Sequence, residues 1–342
     1  MSHNINLNGI NTRTDLAIEL LENKENKTIK QIDENNIKVT TMNVTKDEEE
    51  LYGKKRGNYI TIEFDDITDY NNQKKVEEVL IEELNNMLNI LKIDKNKSAF
   101  VIGLGNEKST PDSLGPITIN NIIVTSHFFE MNINVEEGFR KVSAFNPGVT
   151  GQTGIETFDV ISSIVEKIKP DFLIVIDALR ASNINKLNRT IQISDSGISP
   201  GSGIGNKRKE ISYETINVPV ISIGVPTVVD AVTIVSDTFD YITKNYTYMN
   251  ENINNPKEKL VISHKDIDKK TINKNLTHRK ELFGLIGTLE DNEFKKLVNE
   301  VLVGFGYNLI VSPKEIDFIV QKLGMVLSNS INNSLHENVT HL

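Results

Sequence analysis

Two aspartates, Asp112 and Asp177, are the residues of this chain whose types and positions could do chemistry. Each follows a short apolar run, and 65 residues separate them. Because open α/β folds keep ligands at the carboxyl ends of their strands, two such strands could bring both carboxyl groups to one sheet edge. Two carboxyl groups that close would share a proton, so that one acts as acid and the other as base. Such a pair could activate a water and protonate the leaving nitrogen of an amide.

Two buried strands are the elements that would position these aspartates. The first is an apolar run over 99–102 closed by Gly103, after which Thr110 and Pro111 indicate the start of a helix over 112–126. The second is an apolar run that predicts a strand over 171–177, with Asp177 at its end. A helix start favours the ionised form of Asp112, so our hypothesis makes Asp112 the base, although the pair could titrate as a unit.

The rest of the chain alternates between strand and helix patterns. This alternation predicts an α/β fold with a largely parallel or mixed sheet flanked by helices, in one large domain with smaller added β and helical elements. The core would span 98–246, and a C-terminal helical part would span 281–335. Other predicted strands lie at 36–42, 59–64, 140–146, 189–194 and 217–223, and other predicted helices at 72–92, 155–168, 228–246, 291–303 and 313–334. The polar segment 247–280 predicts a long loop.

Composition excludes several classes of function. A net charge of −9 and a pI near 5.3 give no basic surface for direct binding of nucleic acid. We find no apolar run long enough to span a membrane and no secretory signal, so we predict a cytoplasmic protein without a membrane partner. With no cysteine, and with six histidines outside any metal-ligand or catalytic spacing, the plausible acid and base are carboxylates. We predict no cofactor and no metal.

Three functions remain open from these residues alone. The first is a metal-independent protease that uses Asp112 and Asp177. The second is a peptidase of the same fold in which these carboxylates bind a metal ion. The third is a non-enzymatic α/β ligand-binding protein, in which Asp112 only begins a helix and Asp177 only caps a turn. The glycine-rich loop 201–207 lacks the spacing of a phosphate-binding loop but could hold a substrate backbone.

Several longer motifs make this sequence similar to the spore germination proteases of endospore-forming bacteria. The similarity extends from residue 13 to about residue 335. Its motifs are VIGLGN (101–106), TPDSLGP (110–116), PGVTGQTGIET (147–157), PDFLIVIDAL (170–179), IQISDSG (191–197), GVPTVVDAV (224–232), and residues 200–215. The resemblance implies a fold similar to that of the hydrogenase maturation proteases.

The resemblance also implies an activity. It implies an endopeptidase that degrades small acid-soluble, DNA-coating spore proteins during germination, in the spore core or forespore. The two aspartates of the family's atypical aspartic mechanism correspond to Asp112 and Asp177 here. The proteins of this family are made as homotetrameric zymogens. They cleave after an acidic residue and before an apolar residue followed by Ala or Ser. We therefore predict self-cleavage between Asp15 and Leu16, with 1–15 as a propeptide and 16–342 as the protease domain.

Overall fold

A computed structural model of the chain describes residues 14–20, 27–32, 37–131, 135–200, 209–251, 253–254, 276–303, 309–337 and 339. The chain divides into two compact units. The larger comprises Arg13–Val228 and Ser312–Leu342, and the smaller comprises Met1–Thr12 and Val229–Val311.

The larger unit is built on a mixed β-sheet. Its strands are β1 Lys27–Ile32, β2 Ile37–Val44, β3 Gly57–Glu63, β4 Ala99–Gly103, β5 Val142–Phe145, β6 Phe172–Ala181, β7 Thr190–Ser194 and β8 Val220–Asp230, whose last two residues belong to the smaller unit. Their spatial order is β1-β2-β3-β7-β8-β6-β4-β5. Strand β4 pairs in parallel with β5 and β6, whereas β3 and β7 pair antiparallel with their neighbours on both sides. The predicted α/β class with a mixed sheet is confirmed, although more of the described pairings are antiparallel than parallel.

The helices are α1 Ala17–Leu20, α2 Glu49–Tyr52, α3 Tyr70–Ile90, α4 Leu114–Ile119, α5 Ser126–Glu130, α6 Thr150–Thr153, α7 Thr157–Ile168, α8 Tyr213–Ile216, α9 Ala231–Glu251, α10 Leu276–Phe283, α11 Asp291–Val303 and α12 Ile316–Leu335. Strand β4 shows how they cover both faces of the sheet. Alternate β4 side chains point to opposite faces. Val101 packs in the core that includes α3 and α12, whereas Phe100 and Ile102 pack in the core that includes α7. Burial on both faces explains why β4 is apolar throughout.

The helix predicted over 112–126 is wrong. The chain instead forms a 3₁₀ turn at Thr110–Asp112, the short helix α4, and then the separate helix α5. The 3₁₀ turn begins after Ser109, whose backbone is extended, so Thr110 lies inside the turn rather than at its cap. Asp112 is consequently the last residue of a turn that precedes a helix.

The smaller unit packs α9, α10 and α11 around aromatic rings. The ring of Phe239 contacts those of Phe283 and Phe294 at centroid distances of 4.5 and 4.7 Å. A short strand β9, Ile310–Val311, pairs antiparallel with the last two residues of β8. The predicted loop over 247–280 is wrong at both ends, because α9 continues to Glu251 and α10 begins at Leu276; residues 255–275 lie outside the described part. Among the helices described here, none combines the length and the apolar character needed to cross a membrane.

Candidate active site

Asp112 is fixed at the end of β4 by the loop that follows this strand. Its Oδ2 atom accepts a hydrogen bond from the Asn106 backbone N–H at 2.8 Å. The preceding residue, Pro111, is held by Thr227 of β8, whose hydroxyl donates to the Pro111 carbonyl at 2.6 Å. The side chain of Asn106 in turn accepts hydrogen bonds from the backbone of Lys108 and from the side chain of Gln152. The Asp112 carboxyl group is therefore positioned by contacts to three separate segments.

Gly105 allows the loop to fold back this closely. Its φ of +117° belongs to a region that side chains rarely adopt. A Cβ atom at this position would lie 2.0 Å from the Asp112 carbonyl oxygen and 3.3 Å from Asp112 Oδ1. The Asp112 carboxyl group thus packs directly against the backbone two residues beyond the end of β4.

Asp177 lies inside β6 rather than at its end, so the prediction that the strand stops at Asp177 is wrong. The parallel register pairs Gly103, the last residue of β4, with Ile176, and the Leu104 N–H donates to the Ile176 carbonyl at 2.8 Å. Asp177 follows immediately; it is 8% exposed, and its Oδ1 atom accepts from the Ala178 N–H at 2.9 Å. The structure therefore places Asp112 and Asp177 at the same carboxyl end of β4.

Beyond the end of β4, strand β6 contacts a segment that is distant in sequence. The Asp15 N–H donates to the Arg180 carbonyl at 3.0 Å, and the Arg180 N–H donates to Asp15 Oδ2 at 2.9 Å. Leu16 and Ala17 are fully buried, and the Ala17 N–H donates to Gln192 Oε1 of β7 at 2.6 Å. The predicted self-cleavage pair, Asp15 and Leu16, is thus docked three residues along β6 from Asp177. Residues 1–13 lie outside the described part of the chain.

A lysine contacts the carbonyl group of this docked segment. Lys54 Nζ donates to the Asp15 carbonyl oxygen at 2.8 Å, and Gln192 Nε2 donates to the same oxygen at 3.4 Å. Burial lowers the pKa of Lys54, because removal from water disfavours the ammonium form. Asp15 and Glu19 oppose this shift through their charges. The carbonyl oxygen that precedes the predicted cleavage point therefore faces the amino group of a lysine.

Comparison with known proteins gives a consistent result. The family model described as germination protease matches residues 8–341. A germination protease from Geobacillus sp. is 45% identical over 365 residues, which covers 99% of this chain and 97% of that protein. The germination protease of Bacillus subtilis is 45% identical (96% and 94% covered), and that of Priestia megaterium is 43% identical (99% and 97% covered).

The chain belongs to the germination protease family. This membership confirms the resemblance seen in the sequence motifs and makes the chain a peptidase by family. The matched region includes Asp112, Asp177 and the Asp15–Leu16 junction.

In this member of the germination protease family, several residues that hold the Asp15–Leu16 junction were not identified from the sequence. These are Lys54, the backbone of Arg180 and the side chain of Gln192. Lys54 directly follows Gly53, which ends α2 with a φ of +62°, but this position does not indicate a contact with Asp15. Nothing in the local sequence indicates that Gln192 contacts residues 175 positions earlier.

Two other sequence hypotheses concern this end of the sheet. Most of the glycine-rich loop proposed to hold a substrate backbone, residues 201–208, lies outside the described part; Lys209, which follows it, pairs with Asp159 at 3.1 Å. Within the described ranges, no three histidine or acidic side chains come together in a way that could hold a metal ion.

Proposed function

We propose that this chain is an endopeptidase that starts the degradation of small acid-soluble, DNA-binding spore proteins during germination. In this proposal Asp112 and Asp177 act as its acid and base. The observation that carries the proposal is the backbone register: Asp177 follows the residue paired with Gly103, and Asp112 packs on Gly105. Two carboxyl groups at one strand end match the acid–base requirement of amide hydrolysis.

The two carboxyl groups differ in surroundings, and this difference suggests their roles. Asp177 is buried, whereas Asp112 is half-buried and follows a loop. Burial disfavours a charged carboxylate, so we assign the base to Asp112 and the acid to Asp177. Asp112 would take a proton from a water, whose oxygen then bonds to the carbonyl carbon of the substrate. Asp177 would give its proton to the leaving nitrogen as the C–N bond breaks, which leaves a carboxylic acid and an amine.

The same proposal makes the chain an inactive precursor that cuts itself between Asp15 and Leu16. The sequence around this bond fits the acidic–apolar–small pattern of the family, and Asp15 is hydrogen-bonded to Arg180 of β6, three residues after Asp177. We also propose, from the resemblance to the family, that its substrates are these spore proteins, that it assembles as a homotetramer and that it acts in the spore core.

The first test is the loss of proteolysis in Asp112→Asn and Asp177→Asn. Asparagine keeps the size of the side chain but can neither accept nor supply the catalytic proton. We expect about 100- to 10,000-fold slower cleavage of a peptide with the sequence of residues 14–19, because acid–base groups contribute about this much. Mass spectrometry of the full chain would follow the cut after Asp15 in the same samples.

The matched control is Asp159→Asn, which removes an exposed carboxyl group on α7 that pairs with Lys209 at the surface. This variant should cleave at the rate of the unmodified chain. Full activity in either active-site variant would overturn the two-aspartate mechanism. Activity that disappears after chelation and returns with a divalent cation would instead support the metal-dependent alternative.

A further inference from the structure

The carbonyl group of Asp15 is held as a reacting carbonyl would need to be held. Its oxygen accepts hydrogen bonds from Lys54 Nζ at 2.8 Å and from Gln192 Nε2 at 3.4 Å. Oxyanion sites in acyl-transfer enzymes use two donors directed at one carbonyl oxygen in this way, because the oxygen becomes negative when the carbon is attacked. One of the donors here is a lysine, whose ammonium form strengthens the interaction with a negative oxygen.

The bond that follows this carbonyl is fixed on both sides. On its amino side, the Asp15 N–H and the Asp15 carboxyl group bond the backbone of Arg180. On its carboxyl side, Leu16 is fully buried, and the Ala17 N–H bonds Gln192. A peptide bond held by hydrogen bonds and burial on both sides keeps its carbonyl group in one orientation. Contacts of this kind lower the entropy cost of reaching the transition state.

Lys54 differs in its contacts from Lys55 and Arg56, the two basic residues that follow it. Lys55 forms ion pairs with the half-buried Glu210 and the exposed Glu214, and Arg56 pairs with Glu214 at 2.8 Å. Lys54 instead directs its ammonium group to a main-chain carbonyl of the docked segment. A lysine whose only role was to anchor the turn could pair with surface carboxylates as its neighbours do.

We propose that Lys54 is a catalytic residue of the self-cleavage reaction, which stabilises the negative oxygen of Asp15 in the tetrahedral intermediate. The proposal rests on the proposed cut between Asp15 and Leu16. A water oxygen bonds to the Asp15 carbonyl carbon and loses a proton to the base, and the carbonyl π electrons move to the oxygen that faces Lys54. The intermediate then collapses: the C=O bond re-forms, the C–N bond breaks, and the Leu16 nitrogen takes a proton from the acid.

The test is the rate of self-cleavage in the full chain with Lys54→Met. Methionine keeps the length of the side chain but cannot donate, and loss of one oxyanion donor lowers rates about 100- to 1,000-fold. Lys55→Met makes the same change one residue later, in a side chain that contacts glutamates rather than the junction, and should cut at the unmodified rate. Mass spectrometry over time would measure the appearance of the chain that begins at Leu16.

A second measurement separates catalysis from a purely structural role. The unmodified chain should cut more slowly as pH rises through the pKa of Lys54, which burial lowers. Lys54→Arg stays charged at these pH values, so it should cut measurably and show no such alkaline decline. A thermal melt of each variant checks that it is folded.

The outcomes distinguish this inference from the proposed function. If the unmodified chain never gives a product that begins at Leu16, the proposed self-cleavage is wrong. If it does, and Lys54→Met cuts within threefold of the unmodified rate, the role of Lys54 is wrong while self-cleavage stands. If Lys54→Met cuts slowly but Lys54→Arg keeps the same alkaline decline as the unmodified chain, Lys54 does not act through its charge, and the proposal is also wrong.

Discussion

At the scale of single residues, one hydroxyl group links the Leu16 backbone N–H to the half-buried carboxyl group of Glu19. The Leu16 N–H donates to Thr14 Oγ1 at 3.1 Å, and this hydroxyl donates to Glu19 Oε2. The same Glu19 oxygen accepts from the backbone and the hydroxyl of Ser182 at 2.9 and 2.8 Å. The other oxygen, Glu19 Oε1, is buried without a hydrogen-bond partner among the described residues. A cut after Asp15 would remove Thr14 and leave a charged amino group on Leu16 close to Glu19.

We therefore expect Glu19→Gln to destabilise the processed chain more than the precursor. Glutamine can still accept hydrogen bonds from Ser182 but cannot form an ion pair with the new amino group. Hydrogen bonds to charged groups contribute about 1.5–3 kcal/mol, and we expect a loss of that size in the free energy of unfolding of the processed form. Urea unfolding of the processed chain, and of a precursor kept uncut by Asp112→Asn, would measure it. Glu166→Gln, at an exposed position on α7, is the control, and equal losses in both forms would contradict the ion pair.

At the scale of elements, the close approach of α4 to β4 positions Asp112. A Cβ atom on Gly103 would lie 2.3 Å from the Gly115 carbonyl oxygen, and one on Gly115 would lie 2.2 Å from the Leu104 carbonyl oxygen. These contacts involve backbone atoms, which cannot move aside as a flexible side chain can. Asp112 ends the turn just before α4, so any shift of the helix moves the carboxyl group as well.

Gly115→Ala should therefore lower both stability and activity. Overpacking costs about 1–3 kcal/mol, and we expect at least that loss in the free energy of unfolding, together with slower peptide cleavage. Gly151→Ala, in α6, is the matched control, because a Cβ there meets no atom within 4 Å. Urea unfolding and a peptide assay would compare the two variants. If Gly115→Ala behaved like Gly151→Ala, α4 would not be held to β4 by this contact.

At the scale of the whole molecule, a buried arginine and a buried histidine tie the end of α12 to the centre of the larger unit. The Arg140 guanidinium donates to the carbonyl oxygens of Asp94 and Lys97 at 2.9 and 2.7 Å. The backbone N–H of Arg140 donates to His336 Nδ1 at 3.2 Å, and His336 Nε2 lies 3.3 Å from the Ile123 carbonyl oxygen. This arrangement requires a neutral imidazole, with its proton on Nε2.

Stability should consequently fall in mild acid. Burial lowers the pKa of His336, and the charge of Arg140 lowers it further, against the hydrogen bond to Ile123. The unfolded chain binds a proton on this residue near pH 6.5, before the folded chain does. Its contribution is therefore complete above about pH 6.5 and declines below it, by at most about 1.4 kcal/mol per pH unit. His336→Asn keeps an acceptor for Arg140 without titrating, so urea unfolding should show a shallower acid loss; an unchanged slope would rule out His336 as the cause.

The sequence was most informative where burial determines residue type. The runs that form β4 and the first half of β6 are apolar on both faces, and the resulting pattern located Asp112 and Asp177 near one strand end. The long helices α3 and α7 were predicted within two residues at both ends, because their apolar residues recur with the helical period.

The features that were missed depend on contacts between distant residues. Strand β6 extends past Asp177 beside β8, and Asp15 exchanges hydrogen bonds with Arg180 there; no pattern near Asp177 indicates either contact. The antiparallel half of the sheet joins the parallel half through β7 and β8, so Gln192 reaches the junction only because of the strand order. The hydrogen bond from Lys54 to the Asp15 carbonyl group depends on the same topology.

The burial of Leu16, Ala17 and Ile18 makes the proposed cut after Asp15 difficult to reverse. After a cut at Asp15, the new amino group would stay embedded in the protein with Leu16, whereas the new carboxyl group would end a separate peptide. Re-forming the bond would require that peptide to return, at a concentration that dilution keeps negligible. Hydrolysis at this position would then be irreversible, and each molecule would be cut only once.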